Sequence, residues 1–248
     1  MEMEMQNQLS DQGANAGLGF SGKFINIFTN PSKTFAELIN RPTWLMPLLI
    51  VTIVGAIASQ FTLDVQSKAT LEMIRNMPGL SKEQVAEFEK SQADSGSLTS
   101  RVKNFAKGIA AKPIWIVIVS AIFLFVGKVV LGGDSSFKKI FSIYCWSNLI
   151  SIPGVIITSY LIILKKNMFV SLSPALVIPG SPLESIGSLI LSQLEFFTLW
   201  QLAVFAIGFA MAFNISIKKA YVSVGALFAV FIALVVALTS ILKSFGFA

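Results

Sequence analysis

Residues 221–242 read YVSVGALFAVFIALVVALTSIL, a stretch without one charged side chain. A helix rises about 1.5 Å per residue, so this stretch coiled as a helix spans the ~30 Å hydrocarbon core of a bilayer. Lipid offers no partner to a bare peptide group, and an uninterrupted apolar run of this length satisfies its own amides as a helix. Four runs of the same kind precede it, at 43–63, 113–131, 140–164 and 191–213. The pattern predicts an all-α integral membrane protein, a bundle of five transmembrane helices (43–242). An odd number of spans puts the two termini on opposite faces.

Composition narrows the chemistry. The 248 residues are 54% hydrophobic and 13% charged, and mean hydropathy is +0.73; a soluble domain carries about 25% charged residues. There is no His, and Cys145 is the single cysteine. Disulfides within the chain, Cys/His zinc sites, His-based triads and His-held haem are thereby excluded. Gly132-Gly133 is not followed by phosphate-loop spacing, so no nucleotide, metal or other cofactor is expected, and no enzymatic activity. The net charge of +6 sits on membrane flanks, which predicts a lipid bilayer and no nucleic acid as partner.

The polar segments give the remaining organisation. Residues 1–19 are predicted to be a disordered tail. Across 20–41, Phe20, Phe24, Ile27 and Phe28 recur at helical spacing. Asn30-Pro31 then restarts a helix, with Phe35, Leu38 and Ile39 on its apolar face. An amphipathic helix lying in the interface is predicted, with packing under the bundle a compatible alternative. Phe24, Phe28, Phe35 and Trp44 are its expected anchors. Residues 64–112 read helix, turn, helix, with turns at 77–79 and 94–97 and a capping box at Ser81 and Gln84; a helical loop against the membrane is expected. Residues 165–190, with Pro174, Pro179 and Pro182, read as an irregular loop. Lys and Arg in the short loops favour the N-terminal side, but the 64–112 loop opposes them. The positive-inside rule alone therefore leaves orientation open.

Within the spans, Lys128 is placed to snorkel. Glu195, Gln201 and Asn148 form the candidate intramembrane polar site, because buried polar groups are costly in lipid. Ser147 and Ser151 lie near Asn148, and interhelical hydrogen bonding accounts for the neutral members. Pro153 and Gly154 are expected to kink the third span. Gly225, Ala229, Ala233 and Ala237 recur every four residues and predict a helix-packing face, toward Gly208 and Ala212 of the fourth span or toward a second copy.

Three stretches resemble a known family. They are Phe24-Ile25-Asn26-Ile27-Phe28-Thr29-Asn30-Pro31-Ser32-Lys33-Thr34-Phe35 with Arg41-Pro42-Thr43-Trp44-Leu45-Met46-Pro47, then Leu131-Gly132-Gly133-Asp134-Ser135-Ser136-Phe137-Lys138, and Leu194-Glu195-Phe196-Phe197-Thr198-Leu199-Trp200-Gln201 running on to Ile207-Gly208. Together they are similar to the prokaryotic branch of the YIP (Rab/Ypt-interacting protein) family, over roughly residues 20–243. That resemblance implies five spans, a cytoplasmic N-terminus, residence in a bacterial cytoplasmic (inner) membrane and a non-enzymatic role. Eukaryotic members bind small GTPases and one another in vesicle traffic. A bacterium lacks Rab partners, so GTPase binding is not carried over. Two functions stay open. One is an interaction or organising protein acting on other membrane proteins or itself. The other is a small-solute or ion transporter or channel subunit, with a path near the kinked third span and Glu195.

Overall fold

The computed structural model describes residues 18–75, 77, 80–93, 97–178 and 181–244. Most of the expected N-terminal tail, the turn positions 78, 79 and 94–96, and Pro179 lie outside the described residues. The described chain is helical throughout, in the order α1 (Phe20–Thr29), α2 (Pro31–Asn40), α3 (Leu45–Arg75), α4 (Lys82–Ala93), α5 (Leu98–Phe125), α6 (Phe137–Ser147), α7 (Ser151–Lys165), α8 (Ile186–Gln193), α9 (Phe196–Phe213) and α10 (Ile217–Ser244). A π-helical turn at Val126–Val130 extends α5, and a 3-10 turn at Asn148–Ile150 joins α6 to α7. Five helical stretches are long and apolar enough to cross a membrane: α3, α5 with its extension, α6–α7, α9 and α10.

Several boundaries differ from the sequence reading. The helix that carries the first apolar run continues past residue 63, and the helix that carries the second begins before residue 113. Both helices run on beyond the apolar stretch, and Pro113 sits inside α5. An ion pair between Arg101 and Asp64 (3.0 Å) ties the two extensions, and Arg75 with Glu89 (2.7 Å) folds α4 back against α3. The capping box forms as its spacing predicts: the Ser81 amide donates to Gln84 Oε1 (2.9 Å) and the Gln84 amide to Ser81 Oγ (3.2 Å). The fourth apolar run is two helices, because Glu195 caps a new start. Its Oε2 accepts from the Thr198 amide at 2.6 Å, while the Phe196 amide donates to the Leu172 carbonyl.

The N-terminal segment is a helical hairpin packed into the bundle. Ile27, Phe35 and Leu38 are fully buried, and Phe24, Phe28 and Ile39 pack against the same core. Phe35 is therefore no interfacial anchor. Its ring lies 3.0 Å from where a Cβ on Gly208 would stand, and Ile143 approaches the same point at 2.4 Å. Only glycine lets three helices meet this closely. The hairpin is pinned inside by Lys23, whose ammonium meets Glu37 at 2.7 Å, and by Thr34, whose hydroxyl donates to the Lys23 carbonyl.

The small-residue face of α10 is turned outward. The helix contacts its neighbours through Ala220, Val224 and Leu227, and Trp115 of α5 meets Phe231 at 6.2 Å. Gly225, Ala229, Ala233 and Ala237 are exposed, and nothing stands within 4 Å of a Cβ on Gly225. The expected docking through this face onto α9 is not what forms. A four-residue repeat drifts about 40° per step, so by Ala233 the stripe lies about opposite the contact made at Val224.

Candidate functional site

The polar side chains inside the bundle gather where α6 meets α9. Asn148 is buried and donates from Nδ2 to the Tyr144 carbonyl at 2.8 Å, one turn back. The Tyr144 hydroxyl faces both the Asn148 and Gln201 side chains. Phe123 and Phe205 enclose Tyr144, with ring centroids at 6.3 and 5.1 Å. Two of the three residues expected to form a site thus come together, with Tyr144 as an unforeseen third. Its only trace in the sequence is the four-residue step from Tyr144 to Asn148. Two amides and a phenol supply donors and acceptors but no charge, so this arrangement binds helices to one another.

Glu195 stands apart from them. It precedes α9 by one residue, and Gln201 lies six residues farther on, about 9 Å along the axis. One carboxylate oxygen caps α9, while Oε1 is buried without a hydrogen-bond partner among the described residues.

Prolines account for two further polar contacts. Pro47 has no N–H, so the Thr43 carbonyl loses the helical donor it would otherwise have. Ser142 Oγ (2.6 Å) and Trp146 Nε1 (2.7 Å) donate to it instead, which locks α6 to the start of α3. Trp44, one residue on, is half-buried and packs against Phe141 at 5.4 Å. Pro153 likewise denies the Leu149 carbonyl its donor, and the tightened turn at Asn148–Ile150 lies directly before it. A Cβ on Gly154 would stand 2.7 Å from the Phe197 ring, so this glycine permits close approach of α7 and α9.

Three cavities lie between elements. One of about 370 Å³ sits between α3, α5 and α7 and includes Thr52, Lys112, Ser151 and Ile152 in its wall. A second lies beside the hairpin at Trp44 and Trp146, and a third beyond the membrane-spanning part at Glu72 and Lys166. Glu195 borders none of them.

The Yip1 domain family model matches residues 25–238, which takes in most of the N-terminal hairpin, the first four spans and most of the fifth. Membrane protein YknW of Bacillus subtilis (strain 168) is 26% identical over 213 residues, covering 83% of this chain and 85% of that protein. No solved structure matches. With the match spanning hairpin, polar core and bundle alike, the chain belongs to the Yip1 domain family of integral membrane proteins.

Proposed function

We propose that this protein is a non-enzymatic organiser of the membrane, acting by presenting helix surfaces to other membrane proteins or to a second copy of itself. The observation that carries this reading is the state of α10. It is a 28-residue apolar helix that touches the body along one side, with its small-residue face bare. Small residues let a second backbone approach closely, which is how helices gain contact energy in lipid. The polar groups at the α6–α9 junction turn toward one another, which supports a structural role for them. Transport has less support, since Glu195 borders none of these three cavities and caps a helix.

A photoreactive side chain at Ala233, introduced into the protein in native membranes, tests the proposal. Discrete protein adducts are expected there and not at Val224. Adducts to lipid alone would refute it. Flux through proteoliposomes that disappears in Glu195→Gln would favour the transport reading instead.

The proposal includes residence in a bacterial cytoplasmic membrane with the N-terminus cytoplasmic, supported by the family and by the short-loop charge bias. Cys145 is fully buried, so single cysteines at exposed Lys138 and Lys90 can be labelled against it. Position 138 should react from the cytoplasm and position 90 from the other side; the reverse pattern would invert the topology.

A further inference from the structure

The cavity between α3, α5 and α7 has features that helix packing leaves unexplained. Its walls are mostly apolar, with Val51, Val54, Ile152 and Val155 among them, and a Cβ on Gly55 would meet open space. Two polar groups in it have no protein partner among the described residues. Lys112 makes no hydrogen bond or ion pair among the described residues, whereas Lys23, Arg75, Arg101 and Lys128 each pair with an acid. The Thr52 hydroxyl, on a residue only 4% exposed, has no partner either. The two serines of the wall differ: Ser59 donates to the Ala56 carbonyl and Ser151 to the Asn148 carbonyl, both at 2.7 Å.

The register of α3 against α5 brings Thr52 and Lys112 together. The helices run antiparallel, tied at Asp64–Arg101 and touching where a Cβ on Gly108 would stand 3.6 Å from Ala56. Thr52 lies four residues before Ala56 and Lys112 four after Gly108. They therefore sit at the same height on facing helices.

On α5 that height is the edge of the apolar run, because Lys112 immediately precedes residues 113–131, while Thr52 and Ser151 face it from within the runs 43–63 and 140–164. Lys112 is sixteen residues from Lys128, about 24 Å along the helix, and the lysine stem extends the ammonium beyond that. The sum approaches the ~30 Å of a hydrocarbon core. Trp115 borders the cavity and is 46% exposed, as suits an aromatic residue at a lipid–water boundary. Ala111, also in the wall, is exposed as well.

We propose that this cavity is a binding site for an anionic phospholipid. An acyl chain would lie along the apolar wall, the phosphate against Lys112, and the Thr52 hydroxyl would donate to a lipid oxygen. The volume lies within the range of small-ligand pockets. Charge and wall together select an anionic phospholipid: the Lys112 stem can carry its ammonium toward an anionic head, and the apolar wall takes a chain.

Photoreactive phosphatidylglycerol and phosphatidylcholine, each a minor component of nanodiscs holding the full chain, test this directly. Phosphatidylglycerol should label the α3, α5 and α7 peptides of the cavity about tenfold more than phosphatidylcholine, because both lipids offer the phosphate but phosphatidylcholine sets a choline cation beside Lys112. Lys112→Gln should bring it down to the phosphatidylcholine level, Lys112→Arg should keep it, and Lys219→Gln, at the opposite end, should leave it unchanged. Thr52→Val, nearly isosteric, should also lower labelling, and it decides the matter if Lys112→Gln does not fold. Equal labelling by the two lipids would overturn the site. So would labelling spread evenly over α10, or folded Lys112→Gln and Thr52→Val proteins that label like the parent.

Discussion

Helices α9 and α10 follow one another through a three-residue turn, and their surroundings are opposite. Half of the apolar stretch of α9 is buried, against 6% for α10, yet α10 is the more hydrophobic, with a hydropathy of 2.7 against 1.9. In water the more apolar helix goes inside. In lipid nothing is gained by hiding Leu and Val from hydrocarbon, so the interior goes to the helix whose shape and polar groups find partners. α9 carries Gln201 opposite Tyr144, Gly208 beneath Phe35, and the stack of Phe205, Phe209 and Phe213. Only Ala220 and Val224 are buried on α10.

The contrast can be broken from the α9 side. The hairpin that covers α9 depends on the Lys23–Glu37 pair, and Glu37 also accepts from the Leu18 amide at 2.7 Å. Glu37→Gln leaves a buried ammonium unpaired and should cost about 3 kcal/mol, read as thermal unfolding of the purified protein in detergent. A Cβ on Gly127 would stand 2.1 Å from the Phe213 ring. Gly127→Ala should therefore cost about 2 kcal/mol, and Phe213→Leu in the same chain should recover part of it. Gln201→Leu removes a partner of Tyr144 and should cost about 1 kcal/mol, near the typical interhelical hydrogen bond in lipid. On the other side of the comparison, Ala229→Leu on α10 should stay within about 0.5 kcal/mol of the parent, because it meets only surroundings as apolar as itself.

Much of this was legible in the residues, for identifiable reasons. The five spans follow from run length alone, and the Ser81–Gln84 box follows from a local hydrogen-bond spacing. Asn148 and Gln201 stand out because amides in an apolar run need partners. Tyr144 does not, since a ring among Phe and Trp reads as bulk. Helices were expected on both sides of the 64–112 loop, but not their continuity with the spans, because polar residues such as Gln66 and Thr70 carry no sign of it; here Gln66 bonds Thr62 and Thr70 bonds Gln66 within α3. Lys23 and Glu37 each fall on the polar side of their own helix, and only the fold of the hairpin at Asn30-Pro31 makes those sides face. The α10 stripe did not reveal that it turns away from α9. Small residues permit close packing without compelling it, and the same spacing is stable against lipid.

The central claim is that α9 is an interior helix and α10 a peripheral one, despite their hydropathies. One pair of substitutions, equal in bulk and both on small residues, tests it most directly: Gly208→Leu and Ala233→Leu, unfolded side by side in the same detergent. Gly208→Leu should abolish the folded state or lower its midpoint steeply, because Ile143 and Phe35 already fill the space, and Ala233→Leu should unfold with the parent. Equal losses, or a larger loss from Ala233→Leu, would contradict the account.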